Sequence, residues 1–462
     1  MQRFLAKYGL AAHLAIVSVA PLFLFPYCSP IQTAHAILWL TLLAVAWVVF
    51  NPSTHSGEPL HAARRRVASA MVRDPFFYLS LAVSAFAGLR ALNGGIRMAY
   101  DAESGSWALA EAAVAFLPGC ADGEGLLPFA VVLALSVVVM SVRQALGRSA
   151  RMATLYISAA LAGAAAVAAL ASAQFGGASA AALFAFPSES ASFAGLAFGF
   201  HFLSATAAFA TAFERKWGRA LVAGPLAVGC TAAGAFAFAP PAMSAVFAVA
   251  GLLELGLAFL YARSVLRSPG EYRLLAVFAI SLTVGVVAVM FLVPEDALMA
   301  RVDAYAAHSF VPEGFLELRR TLSDVAQRAW RTSPWIGTGL GTFAVDVRFN
   351  ALPDEWAVIP RGAAAVANGG WLALAERGFV GVALLALPFC FLAFTYARRL
   401  AAWAKSARVP HPGALLAPLV LVVIGLDVPF DASFMRPDAL LAAAAAVAAA
   451  AKAFPNPEMT NV

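Results

Sequence analysis

Charge is what this sequence has least of. Asp, Glu, Lys and Arg make up 12% of its 462 residues, against about 25% in ordinary soluble domains. That scarcity excludes a soluble globular protein, because the apolar surface exceeds what one core can hide. Lysine is rarer still, with four in the chain, at Lys7, Lys216, Lys405 and Lys452. Cysteine also numbers four (Cys28, Cys120, Cys230 and Cys390), and none stands in a metal-ligand spacing. No HExxH, CxxC or carboxylate–histidine cluster is present, so neither a metal nor another cofactor is expected. An internal repeat is missing too.

What the chain has instead is apolar length. Hydrophobic residues make up 62% of it and the mean hydropathy is +0.81. Runs of about 20 apolar residues recur, each long enough to cross a bilayer as a helix. They are continuous rather than alternating, which favours helices over a β-barrel. We read an all-α polytopic membrane protein with twelve spans, at roughly 9–27, 33–50, 75–94, 126–146, 152–174, 190–213, 220–239, 242–262, 274–293, 371–397, 413–430 and 438–455. The first run lacks a small-residue cleavage site and reads as a retained helix.

The basic residues orient these spans. With Arg3 and Lys7 in the cytoplasm, 20 of the 31 basic residues fall on that side, including every lysine. Each short loop on that side is basic, as the positive-inside rule requires. That rule accounts for the net charge of +6 without nucleic acid as a partner. The connection near 95–125 is acidic (Asp101, Glu103, Glu111, Asp122, Glu124) and falls outside. Both termini are then cytoplasmic. Three regions result: spans one to nine over 1–293, an extracytoplasmic loop over 294–370, and spans ten to twelve with a tail over 371–462. Cys28 and Cys120 both fall on the outer face, but sequence alone does not bring them together.

The outer loop is too long to be a simple connection. Apolar residues at Phe315, Leu318, Leu322, Val325, Ala326 and Ala329 suit an amphipathic helix ending near Ser333-Pro334. Gly337, Gly339 and Gly341 then demand a turn or a close backbone approach. That glycine run lacks the lysine and the strand–helix setting of a P-loop. Seven arginines (Arg301, Arg319, Arg320, Arg328, Arg331, Arg348, Arg361) stand before the next span. Arginine's planar fork suits phosphate oxygens. The bland alternative is a solvated face balanced by the nine acids between Glu295 and Glu355. Asn368 and Glu376 open the next span, where an ionisable group is costly unless paired or functional. Arg90, His13, His201, Glu254 and Asp427 lie in or near spans and read as buried, satisfied polar residues.

Taken together, these stretches resemble the O-antigen ligase and O-antigen polymerase superfamily of bacterial envelope glycosyltransferases. The family pattern sets an arginine about fifteen residues before a glycine-rich motif. Here Arg319 precedes Pro334-Trp-Ile-Gly-Thr-Gly-Leu-Gly-Thr-Phe343 in that way. A His-Asn pair and Glu-x-Gly-x-x-Gly follow in the family; here the matches are Asn368, Glu376, Gly378 and Gly381. Phe184-Ala-Phe-Pro-Ser-Glu-Ser190 and Asp427-Val-Pro-Phe430 look similar to further family elements. Specific matching is confined to the stretch from Arg319 to Gly381.

The resemblance implies transfer or polymerisation of a saccharide from an undecaprenyl-diphosphate carrier, onto a glycan or lipid A-core acceptor, at the periplasmic face of the inner membrane. It implies that Arg319 binds the diphosphate, with Arg320 and Arg361 as neighbours, and that Asn368 and Glu376 serve the chemistry without a metal. The histidine assigned as base in the ligases is replaced by Ala367. Glu376, Glu189 or His308 would then substitute, or the site is of polymerase type, or the chain is an inactive assembly scaffold. A transporter or flippase of lipid-linked saccharides is the alternative from another class.

Overall fold

The computed structural model describes residues 2–146 and 196–292 with short gaps, a few positions between 299 and 306, and residues 315–359, 369–404, 413–427 and 437–450. Helices follow one another as α1 (Gln2–Leu24), α2 (Pro30–Phe50), α3 (Leu60–Arg73), α4 (Pro75–Leu92), α5 (Leu126–Met140), α6 (Leu196–Ala207), α7 (Ala220–Phe238), α8 (Pro241–Val265), α9 (Tyr272–Leu292), α10 (Phe315–Thr332), α11 (Phe343–Asn350), α12 (Gly369–Ala404), α13 (Gly413–Asp427) and α14 (Pro437–Ala450). Among the described residues, five helical stretches are long and apolar enough to cross a membrane: Pro30–Phe50, Pro75–Leu92, Leu126–Ala145, Met243–Leu260 and Gly369–Ala402. Shorter apolar helices accompany them. The chain is a helical membrane protein. The expected span at 152–174 lies outside the described residues.

Local signals set the helix starts. Ser29 and Gln32 close a capping box at α2, with Pro30 in the first turn. Asp74 caps α4 by accepting from the Phe76 N–H at 3.1 Å, again followed by proline. Within the spans, hydroxyls donate back to carbonyls one turn earlier, Thr41 to Ile37 at 2.7 Å and Thr231 to Ala227 at 2.7 Å. These hydroxyl hydrogens are thereby kept from facing hydrocarbon.

Large apolar side chains such as Trp39, Leu81, Leu252, Ile280 and Phe394 point outward, while small ones fill the helix interfaces. Helices in lipid associate through close packing rather than hydrophobic exclusion, which favours small contact residues. The α7–α9 pair shows why. A Cβ on Gly229 would lie 2.4 Å from the Leu282 carbonyl oxygen, and one on Gly285 would lie 2.7 Å from that of Leu226. The main core joins α1, α2, α5, α6, α13 and α14 through residues such as Leu14, Ile37, Ala134, Phe198, Val420 and Ala445.

Two small pairings add strand to the expected all-helical picture. Gly94–Ile96 runs parallel to Cys120–Ala121, and Met98–Asp101 runs antiparallel to Ser106–Leu109. Both belong to the acidic connection between α4 and α5, too polar to enter a bilayer as helix. A second, smaller core sits beside them. There Leu322, Val325, Ala326 and Ala329 of α10 meet Phe343 and Val347 of α11 and Leu372 and Ala375 of α12.

Candidate functional site

The centre of this region is a broken helix. At Gly378, φ is 64° and ψ is −176°, so α12 is interrupted nine residues after it begins. An interruption there leaves the carbonyls of Ala375 and Glu376, and the N–H groups of Phe379 and Val380, without their helical partners. All four are taken up by the glycine-rich turn. Thr338 N–H donates to the Ala375 carbonyl at 2.8 Å and Gly339 N–H to that of Glu376 at 3.2 Å. In return, Phe379 N–H donates to the Pro334 carbonyl at 2.9 Å and Val380 N–H to that of Trp335 at 3.0 Å. This exchange satisfies those four main-chain groups, which could not stay unpaired in a bilayer.

Glycine is obligatory on both sides of the exchange. Gly337 has φ of 74°, and a Cβ there would meet the Glu376 carbonyl carbon at 2.4 Å. A Cβ on Gly378 would meet the Trp335 carbonyl carbon and oxygen, each at 2.4 Å. Left-handed geometry and backbone contact thus coincide. The turn and the span entrance, some forty residues apart in the chain, form one unit.

The end of α4 joins the same unit. Arg90 is wholly buried, and its Nη2 donates to the Glu376 carbonyl at 2.7 Å, while its guanidinium lies over the Phe86 ring. Leu340 N–H donates to the Gly119 carbonyl at 3.1 Å, and Leu340 bridges to Cys120. Glu376 itself is 8% exposed. Its carboxyl accepts from the N–H groups of Gly341 and Phe343, with Arg377 as the adjoining cation. Arg90 and Arg377 both feel its charge. Two guanidiniums thus lie within electrostatic range of one carboxylate.

Helix α10 supplies the third wall. Its buried stripe of Leu322, Ala326 and Ala329 continues at Arg319, which is 6% exposed. Arg320, one position on, is exposed. Successive helical residues point about 100° apart, so this turn presents one arginine inward and the other to the outside. Arg328 bonds to the Asn350 carbonyl and pairs with Glu355. Burial pushes the Glu355 carboxyl up, but the Arg328 hydrogen bond and charge and the Leu352 N–H hold it below its ordinary value. Arg328 is thereby committed to holding the loop. Trp330 stacks edge-on against Phe379 at 5.3 Å and lies 5.9 Å from Trp371.

A feature that motif reading passed over lies beneath the turn. Asp346, in the first turn of α11, accepts through one oxygen, Oδ2, from the Thr338 hydroxyl at 2.7 Å; the Thr342 hydroxyl lies 3.3 Å from the same oxygen and 2.8 Å from the Gly339 carbonyl. Burial pushes its carboxyl up to about 6, against the opposing pull of those two hydroxyls. The signal was present as Thr338, Thr342 and Asp346, four residues apart. Arg90 carried a signal too, as a charge at the end of an apolar run.

Narrow apolar grooves approach this unit along the spans. One is lined by Val83, Phe86, Val132 and Leu385 and reaches Leu340 and Arg377. A second shares Val83, Val132 and Leu385 and continues inward to Phe76, Phe389 and Val447.

Arg319 on α10 and Glu376 on α12 are both buried, and Arg320 is exposed. Asn368, Arg361, Ala367, Glu189 and His308 lie outside the described residues. Cys28 and Cys120 are free thiols. No cluster of metal-ligating side chains occurs among the described residues. The class these features define is a helical membrane protein with a polar cap knitted into a broken span. Comparison with protein-family models, with curated proteins and with solved structures finds no match.

Proposed function

We propose that the chain is a bacterial inner-membrane glycosyltransferase with twelve spans and both termini cytoplasmic. It moves a saccharide from an undecaprenyl-diphosphate carrier onto a glycan or lipid A-core acceptor at the periplasmic face. The carrying observation is the knitting of Pro334–Gly339 to Ala375–Val380, because these are the two stretches on which the family resemblance rests. Two further features support it. Arg319 stands on the buried stripe of α10, and a small apolar groove between the spans reaches Arg377.

The chemistry is a single displacement at the anomeric carbon. The acceptor oxygen bonds to that carbon as the bond to the diphosphate breaks, and the electron pair leaves on the phosphate oxygen. Buried arginine donors stabilise that developing charge, with Arg319 holding the diphosphate. Replacement of the family histidine by Ala367 favours a polymerase over a ligase.

The test is transfer in proteoliposomes supplied with lipid-linked glycan and acceptor. Glycan chain growth supports the proposal. Movement of the labelled lipid across the bilayer with no glycosyl transfer instead supports a flippase. The broken helix favours that second reading, since transporters use such breaks to bind cargo. Here, however, the exposed main-chain groups are filled by the protein's own turn.

A further inference from the structure

Displacement by a hydroxyl releases a proton, and a group near the reacting carbon has to accept it. This inference rests on the transfer reading above. Glu376 is poorly disposed to accept that proton, because it is buried and its carboxyl is already bound to two backbone N–H groups of the turn. Asp346 has the complementary arrangement. Both hydroxyl contacts fall on Oδ2, and no described hydrogen bond engages Oδ1. A carboxylate with one oxygen anchored and the other open is oriented without being consumed.

We propose that Asp346 is the base that takes the acceptor proton, on Oδ1, with Thr338 and Thr342 as positioning residues. Thr338 is itself held by the site, since its N–H donates to the Ala375 carbonyl at 2.8 Å. The carboxylate is thereby fixed relative to the helix break, and so to Glu376 and Arg377. Burial without a directly bonded cation keeps its basicity high enough to remove a proton near neutral pH. The neighbouring elements carry Glu376 and Arg377 on α12 and, on α10, Arg319, Asp324, Arg328 and Arg331. Of these, Arg328 is occupied by Glu355 and the Asn350 carbonyl, and Glu376 is a like charge within electrostatic range of Asp346.

The experiment compares full-length wild type with Asp346→Asn and Thr338→Val in the proteoliposome transfer assay across pH. Asparagine retains the shape and an oxygen acceptor but loses the base. The expected result is a fall in kcat of ~100-fold with donor KM little changed, and loss of the acidic limb of the pH profile. That limb has its midpoint near 6 in the wild type. Thr338→Val removes a hydrogen bond that favours the carboxylate, so its limb moves to higher pH. Transfer by Asp346→Asn within about threefold of wild type, or a Thr338→Val limb that stays in place, overturns the assignment. If wild type transfers while Asp346→Asn transfers equally well, the base alone is reassigned. Should wild type transfer nothing, the glycosyltransferase reading falls and this inference falls with it.

Discussion

The two ends of α4 each meet the rest of the bundle through an arginine, and they do so by opposite means. At its start, the buried Asp74 carboxylate receives Arg143 through two bonds, of 2.8 and 3.0 Å, and Gln144 at 2.7 Å. Burial pushes Asp74 up, but the Arg143 bonds and charge, with Gln144 and the Phe76 N–H, bring it below its ordinary value. Arg143 is also flanked by the Phe76 and Phe391 rings, each at 5.6 Å. At the other end, Arg90 reaches a backbone carbonyl that is available only because α12 is broken. The first junction is a closed set of side chains whose needs meet one another. The second is assembled from main-chain groups that a continuous helix would have kept to itself. One end of the helix is thus joined by side chains and the other by main-chain groups.

This contrast can be broken from either side. The largest expected effect is at the closed junction. Arg143→Met strands a buried carboxylate and costs about 3 kcal/mol, read as a lower unfolding midpoint in detergent; unchanged unfolding would show the cluster to be incidental. Next comes Gly378→Ala, where positive φ and the Trp335 backbone combine against the new methyl group. A loss of about 2 kcal/mol is expected, whereas a neutral result would mean that the break relaxes at no cost.

Asp346 gives a smaller, pH-dependent effect. Folded, it holds its proton up to about pH 6, and its ordinary value is 3.8. Between those values the native state binds more protons than the unfolded state, so this contribution to stability falls as pH rises through the window. Above it the penalty is fully present. Asp346→Asn therefore gains stability relative to wild type at pH 7.5 and not at pH 4, as melting curves at the two pH values will show. A gain independent of pH would refute the linkage. Smallest of all is Gly425→Ala, on α13, where nothing lies within 4 Å of a new Cβ. It is expected to change stability by under about 0.5 kcal/mol, which sets the scale for the Gly378 result.

Much of the fold was legible because its signals are local. Apolar length gave the membrane character, with five described stretches long enough to span, and the periodicity from Phe315 to Ala329 gave α10, which ends at Thr332, just before Pro334. The three glycines of the turn announced their positive φ. The pairing of Arg319 with Arg320 was less secure: both suit phosphate chemically, yet only Arg319 shares the stripe of Leu322 and Ala326. The break at Gly378 was not legible at all. A single glycine in an apolar run reads as tolerated helix, and the groups that replace its lost hydrogen bonds lie some forty residues earlier. Asp346 escaped notice for a similar reason. Among the nine acids from Glu295 to Glu355, only the folded turn distinguishes it.

The central claim is that the buried arginine of α10 binds the diphosphate of a lipid-linked saccharide. Arg319→Ala and Arg320→Ala, measured side by side for transfer from lipid-linked glycan in proteoliposomes, test it most directly. The account predicts transfer reduced by ~100-fold or more in Arg319→Ala, comparable to loss of one preorganised donor, and near wild type in Arg320→Ala. Undiminished transfer by Arg319→Ala, or equal loss in both, contradicts it.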